Sequence, residues 1–200
     1  MTITAGYCTL AQLKARLDIY DFQDDTILEA VVQGVSRSID AMTGRRFYST
    51  TADETRYYTA EFGDVLYTDD LLSITTLQTD DDGDRTYENT WAATDYDLLP
   101  DNAVLDGKPY TRIELAPYGD YAFPEGVRKG VKITGRFGYN ATDSHPDVVR
   151  EACLIQAARI FKRKDAPFGV TGSPEMGQMQ PIAKIDPDVE LMLLGVKRLI

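Results

Sequence analysis

The 200-residue sequence predicts an α+β fold, a small helical bundle of three to four helices carrying an inserted antiparallel β-sandwich or barrel lobe. Three observations predict it. Apolar residues recur every three or four positions near both ends of the chain, the middle replaces that rhythm with short β-branched and aromatic runs between turn residues, and no internal repeat relates the parts. The helical core is therefore assigned to residues 1–46 and 141–200, and the β-rich lobe to residues 47–140.

The first helix is read at residues 9–18. Thr9 followed by Gln12 has the form of a capping box, and Leu10, Leu13 and Leu17 share one face. A longer helix follows. Asp24 or Asp25 can cap it, Ile27, Val31, Val35 and Ile39 repeat every four residues beside Leu28, Val32 and Met42, and Gly44 supplies the stop. Strands are expected at residues 56–59, 72–77, 111–115 and 131–134, with hairpin turns rich in Asp, Gly and Pro at 80–84 and 100–109.

Helical patterning resumes where Ser144 can cap, Pro146 suits a first turn and Asp147 complements the helix dipole. This third helix, residues 148–161, ends in Lys162, Arg163 and Lys164 and is apolar on nearly every face, so it should be buried or packed against another subunit. Residues 166–184 are rich in Gly, Pro and Met and read as a loop or arm. Asp186 and Pro187 then start a last helix in which Val189, Leu193, Val196 and Ile200 recur at helical spacing beside Leu191 and Leu194. An apolar helix on a loose tether suits docking, and the alternative is that it folds back on its own core.

Composition excludes several function classes. Apolar and charged fractions of 43% and 26% are those of an ordinary globular protein. The net charge of −11 argues against wrapping nucleic acid by neutralising phosphates. Cys8 and Cys153 are far apart and lack metal-ligand spacing, so reduced thiols are expected. Residues 1–7 lack a basic start and an apolar run, and no stretch approaches the roughly 20 apolar residues that span a bilayer, so neither export nor a membrane is expected.

Chemistry-bearing residues are sparse. Asp80, Asp81, Asp82, Asp84 and Glu88 form the densest set of hard-metal ligands. Placing Gly83 at the sixth position of a calcium loop puts Gln78 first and Asn89 twelfth, so the charged first ligand and the bidentate Glu are missing and a turn without metal is expected. Residues 80–106 hold nine acidic side chains against Arg85 alone, a surface suited to repelling phosphate. His145 is the sole histidine and reads as a helix-start residue, which leaves no histidine relay. Glycine-rich phosphate loops are absent, and with 32 acidic residues some carboxylate pair is always arguable. Trp91, with Tyr87 and Tyr96, is either a stacking platform or core. No catalytic residue, cofactor or metal is assigned.

The residues from Cys8 to Leu17, the acidic break, the run from Asp24 to Val32 and the phrase Thr43-Gly-Arg-Arg-Phe47 resemble the head-tail connector (adaptor, head completion) proteins of tailed bacteriophages. The run from Pro146 to Lys164 is similar to that family's third helix, and Asp186-Pro-Asp-Val189 to its C-terminus. The β region is similar to the insert of longer relatives. The resemblance implies a structural virion protein of the neck, made in the bacterial host cytoplasm. It implies a homo-oligomeric ring, commonly of twelve copies, seated under the portal protein and extending the DNA channel toward a stopper or tail-completion protein.

On that reading Val189, Leu193, Leu194, Val196 and Ile200 are the candidates for docking to the portal or a neighbouring subunit. Val149, Ala152, Leu154, Ile155 and Ala158 are the candidates for subunit packing, and Asp80, Asp81, Asp82 and Asp84 are channel-facing candidates that approach DNA without binding it specifically. The competing functions are a β-sandwich module that binds carbohydrate or a receptor through Trp91, and a carboxylate hydrolase with a metal at residues 80–84.

Overall fold

A computed structural model describes residues 3–117, 119–139, 146–165, 170–171, 180–181 and 185–198. The chain divides into two compact units, Met1–Arg45 with His145–Ile200, and Arg46–Ser144.

In the first unit, α1 (Leu10–Leu17) carries the expected capping box: Thr9 Oγ1 accepts from the Gln12 amide at 3.1 Å while the Gln12 side chain accepts from the Thr9 amide at 2.8 Å. Helix α2 (Asp25–Thr43) ends at Gly44, whose φ of 65° is the left-handed conformation a glycine adopts without a Cβ penalty. Asp24 stands at its N-cap position without a side-chain cap bond, and its carboxylate receives Lys164 at 2.9 Å.

The buried stripe of α2 is Leu28, Val32, Val35, Ser36, Ile39 and Thr43. It departs from the strict fourfold series that begins at Ile27, which is exposed. Four residues turn an α-helix by about 40° more than a full revolution, so the series drifts from exposed Ile27 onto the core face at Val35 and Ile39.

Helix α3 (Asp147–Lys162) starts one residue earlier than expected and runs into a 3₁₀ turn, Arg163–Asp165. Pro146 occupies its N-cap position without a side-chain cap bond; Ser144 and His145 lie outside the described residues. Three helices of the same chain, α1, α2 and the last helix, α4 (Pro187–Leu194), pack around α3, which is why it is apolar on nearly every face. Helix α4 (Pro187–Leu194) is capped as expected, with Asp186 accepting from the Asp188 amide at 3.1 Å, but stops at Gly195, so Val196 lies beyond it and Ile200 outside the described residues. Of the arm expected at residues 166–184, the described part is two short strands that pair antiparallel, β7 (Val170–Thr171) and β8 (Gln180–Pro181).

The second unit holds β1 (Glu54–Tyr58), β2 (Val65–Thr79), β3 (Asn89–Thr90), β4 (Tyr96–Leu99), β5 (Tyr110–Leu115) and β6 (Val131–Phe137) in one antiparallel sheet of order β1-β6-β2-β5-β4, with β3 also paired to β2. The sequence-expected strands are all present. Missing from the expectation were β3, β4 and the first half of β2, where Asp69 and Asp70 interrupt the apolar pattern.

Strand β2 organises the lobe: residues 65–71 pair with β5 and residues 71–79 with β6, and register shifts fall between Tyr67 and Leu71, Leu71 and Ser73, and Ile74 and Thr76. Such irregularities bend and twist a strand, which lets one sheet curve over its own core. That core takes Leu66 and Ile113 from one half and Leu77, Val131, Ile133 and Phe137 from the other. The end strands β1 and β4 do not pair, so among the described residues the sheet is not closed into a barrel. On β6 the burial alternates residue by residue, and Gly135 lies where an added Cβ would sit 2.1 Å from the Ser73 carbonyl oxygen.

Candidate functional site

The candidate docking helix is half core and half surface. Val189 and Leu193 are buried at 1% and 3% exposure, Val196 is partly buried, and Leu194 and Leu191 stand 61% and 71% exposed. Val189 and Leu193, expected to face a partner, are thus buried in the subunit itself. Their side chains complete the subunit's own helical core, where α4 packs on α3 and α2, and Arg159 of α3 fixes the helix start by an ion pair to Asp186 at 2.8 Å. The Asp186 amide also donates to Gln156 Oε1 at 3.2 Å.

Beside this helix lies an apolar groove of about 430 Å³, lined by Val35, Ile39, Met42, Ile160, Ile185 and Val189 among others. At the other end of α2, the loop after α1 presents Tyr20 and Phe22 at 84% and 81% exposure, next to the exposed Ile27. The Lys14 ammonium lies 4.7 Å from the centre of the Phe22 ring and pairs with Asp25 at 2.6 Å. Tyr20 and Phe22 fall in the acidic break, outside any period, and two aromatic residues among loop acids are the only sequence signal that marks them.

The candidate subunit-packing residues lie largely inside the subunit. Val149, Ala152, Leu154 and Ala158 are all buried within the subunit, and Ile155 is partly buried. Three helices of its own chain pack against α3, and among the described residues its exposed large apolar side chain is Ile160, which lines the groove beside α4.

The four acidic candidates separate into one buried group and three exposed ones. Asp80 is fully buried. Its Oδ1 accepts from the Gly83 amide at 2.7 Å and its Oδ2 from the Arg85 amide at 2.9 Å, which closes the turn between β2 and β3. Burial opposes ionisation of Asp80, but the amides of Arg85 and Gly83 outweigh it and hold the carboxyl below its ordinary value of 3.8. Asp80 is thus tied up within the turn, whereas Asp81, Asp82 and Asp84 are exposed.

Asp82 and Asp84 accept from the amides of Asp84 and Thr86 at 3.1 and 2.6 Å. Carboxylate oxygens of Asp80, Asp82, Asp84 and Glu88 lie within 4.8 Å of one another, so these are the residues that could hold a hard cation; the turn's own amides already occupy both oxygens of Asp80.

Tertiary contacts also dilute the acidic edge of residues 80–106. Asp80 and Asp95 are buried, Arg85 donates to the Arg128 carbonyl, and the Tyr87 hydroxyl donates to the Lys129 carbonyl at 2.8 Å. The Lys132 ammonium lies 5.3 Å from the centre of the Tyr87 ring. The seven other acids of that stretch, including Asp97, Asp101 and Asp106, are exposed.

Trp91 is core. It is 5% exposed, stacks on Phe123 and Tyr121 with ring centres 4.7 and 5.6 Å away, and donates its indole N–H to Thr79 Oγ1 at 3.2 Å. A platform for a sugar needs an exposed ring face, which Trp91 does not offer.

No family model and no curated protein matches the chain. Solved structures do. A chain in the neck of a native gene transfer agent (GTA) particle computed with C12 symmetry is similar to this one with a TM-score of 0.60 at 19% identity, over 100% of this chain and 93% of that chain. A chain in the neck of the empty GTA particle computed with C6 symmetry gives 0.61 at 16% identity, over 100% and 94%. A chain in the virion of the native particle gives 0.61 at 19% identity, over 100% and 94%. Over the whole chain, the helical bundle with its inserted sheet is thus similar in fold to chains in the neck and virion of gene transfer agent particles.

Proposed function

We propose that this chain is a structural neck protein of a phage-like particle, a head-to-tail connector subunit that assembles as a ring of identical copies under the portal and continues the DNA channel toward the tail. The observation that carries the reading is the shared fold across the whole chain with chains from necks computed with C12 and C6 symmetry. A cyclic ring is built from a heterologous contact, in which one surface of a copy meets a different surface of the next. The helical unit carries separate exposed apolar surfaces that suit such a contact: Tyr20, Phe22 and Ile27 near the start of α2, and Leu191 and Leu194 on α4.

The assembly candidates on this reading are therefore Leu194 with Leu191, Tyr20 and Phe22, in place of Val189 and Leu193. Net charge of −11 and exposed Asp81, Asp82 and Asp84 support a surface beside which DNA slides without sticking. No helix among the described residues is long and apolar enough to cross a membrane.

Sedimentation velocity of the purified chain, alone and with its portal, followed by electron cryomicroscopy of the mixture, tests the reading. A closed ring of this chain on the portal is expected. A chain that stays monomeric and unbound at tens of micromolar with the portal present overturns it.

A further inference from the structure

The chain holds two cysteines, 145 residues apart in sequence, and the fold brings their sulfurs to 3.5 Å inside the helical unit. Cys8 lies in the segment ahead of α1 at 4% exposure, and Cys153 at the middle of α3 is fully buried. We propose that Cys8 and Cys153 are a disulfide-forming pair, oxidised by a small-molecule disulfide of the glutathione class, which ties the segment ahead of α1 covalently to α3.

Three features of the site support this. The sulfurs need to close by only about 1.5 Å to reach a disulfide bond length, a movement within side-chain rotation and a slight shift of the N-terminal segment. That segment is already held in place, since the Tyr7 amide donates to Ser36 Oγ at 3.0 Å and the Tyr7 hydroxyl donates to Asp40. The chain contains no third thiol to compete for either sulfur.

The pair also divides the chemistry between its members. The hydrogen bond from Cys8 holds the Cys153 thiolate down, desolvation opposes it, and the Ser36 hydroxyl 3.7 Å away adds to the lowering. The Cys8 thiol is pushed up by that same hydrogen bond and by burial. Cys153 is thus the group that ionises first.

The step balances as two exchanges. The Cys153 thiolate attacks one sulfur of the oxidant, breaking its S–S bond and expelling one small thiolate, which takes up the proton Cys153 gave. Cys8 then gives up its proton and attacks the Cys153 sulfur of the mixed disulfide, expelling the second small thiol. Two protein thiols and one small disulfide become one protein disulfide and two small thiols, with two electrons passing to the oxidant. Because both sulfurs are buried, the first exchange proceeds through local opening of the segment ahead of α1.

The test incubates the folded full-length chain with oxidised glutathione, quenches with an alkylating agent in denaturant, and maps non-reduced peptides by mass spectrometry. The expected result is loss of two hydrogens, a Cys8–Cys153 linked peptide, and a melting temperature raised by roughly 5 °C or more that dithiothreitol reverses. Cys8→Ser and Cys153→Ala each leave the remaining thiol open to alkylation and abolish the rise. Two alkylated cysteines in the wild type after incubation, a lasting single glutathione adduct, or a dimer linked through either sulfur overturns the proposal. The mass readout on the wild type does not depend on whether the variants fold, and none of the outcomes depends on ring formation.

Discussion

Adjacent leucines on α4 are expected to respond to the same truncation in opposite ways. Leu193 is 3% exposed on a helix that packs on α3, while Leu194 is 61% exposed. Leu193→Ala removes a buried isobutyl group and leaves a cavity, a loss of about 3 kcal/mol, equivalent to roughly 6 to 12 °C in melting temperature for a chain of this size. Leu194→Ala removes area that water already reaches and should stay within about 0.5 kcal/mol of the parent. In a ring that buries Leu194, its truncation should weaken association roughly tenfold, since about 1.4 kcal/mol is one decade.

The assay is urea unfolding followed by circular dichroism for both variants, with sedimentation velocity on the same samples. Comparable unfolding midpoints for the two would refute the division of α4 into a core face and an assembly face. Undiminished self-association of Leu194→Ala would place the subunit contact elsewhere, on Tyr20 and Phe22 first. For the same reason, deletion from Asp186 onward is expected to destabilise the helical unit instead of leaving it intact, because it strips Val189, Leu193 and the Arg159–Asp186 pair from that core.

Thr9→Ala should cost about 1 kcal/mol by opening the capping box of α1, measured by chemical denaturation. Gly135→Ala, whose Cβ would meet the Ser73 carbonyl at 2.1 Å, should destabilise the β unit by about 1 to 3 kcal/mol or prevent its folding, with native hydrogen exchange on β2 and β6 as the check. Joint replacement of Asp81, Asp82 and Asp84 by Asn should leave melting unchanged, whereas Asp80→Asn should lower it.

Since the folded Asp80 carboxyl titrates below 3.8, its contribution is fully present above that pH and fades as the pH falls through the lower folded value; a pH series comparing the parent with Asp80→Asn should converge only in that acid range. Gel shift at low salt should show no submicromolar retardation of duplex DNA, and steeply salt-dependent binding would overturn the conduit argument.

The sequence by itself determined the local elements whose causes are local. Thr9 and Gln12 specify a cap within one turn, Gly44 a stop, Asp186 and Pro187 a start, and the runs at β1, β5 and β6 a sheet, because in each case the deciding atoms lie within a few residues of one another. Its α+β organisation followed from where the apolar period changed from helical spacing to strand runs.

What an apolar face touches was decided by the tertiary structure. Composition could say that α3 must be covered, but only the packing of α1, α2 and α4 around it showed that its own chain buries Val149, Ala152 and Leu154. Periodicity likewise placed Val189, Leu193 and Leu194 on one helix without saying which of them met α3.

Long-range approach was equally hidden. The sequence brought neither Arg128 and Lys129 toward the acidic turn nor Cys8 toward Cys153. The reason is physical: helix and turn signals act through neighbours in sequence, while burial and charge pairing depend on which distant segments share space, and that is fixed only when all the elements pack at once.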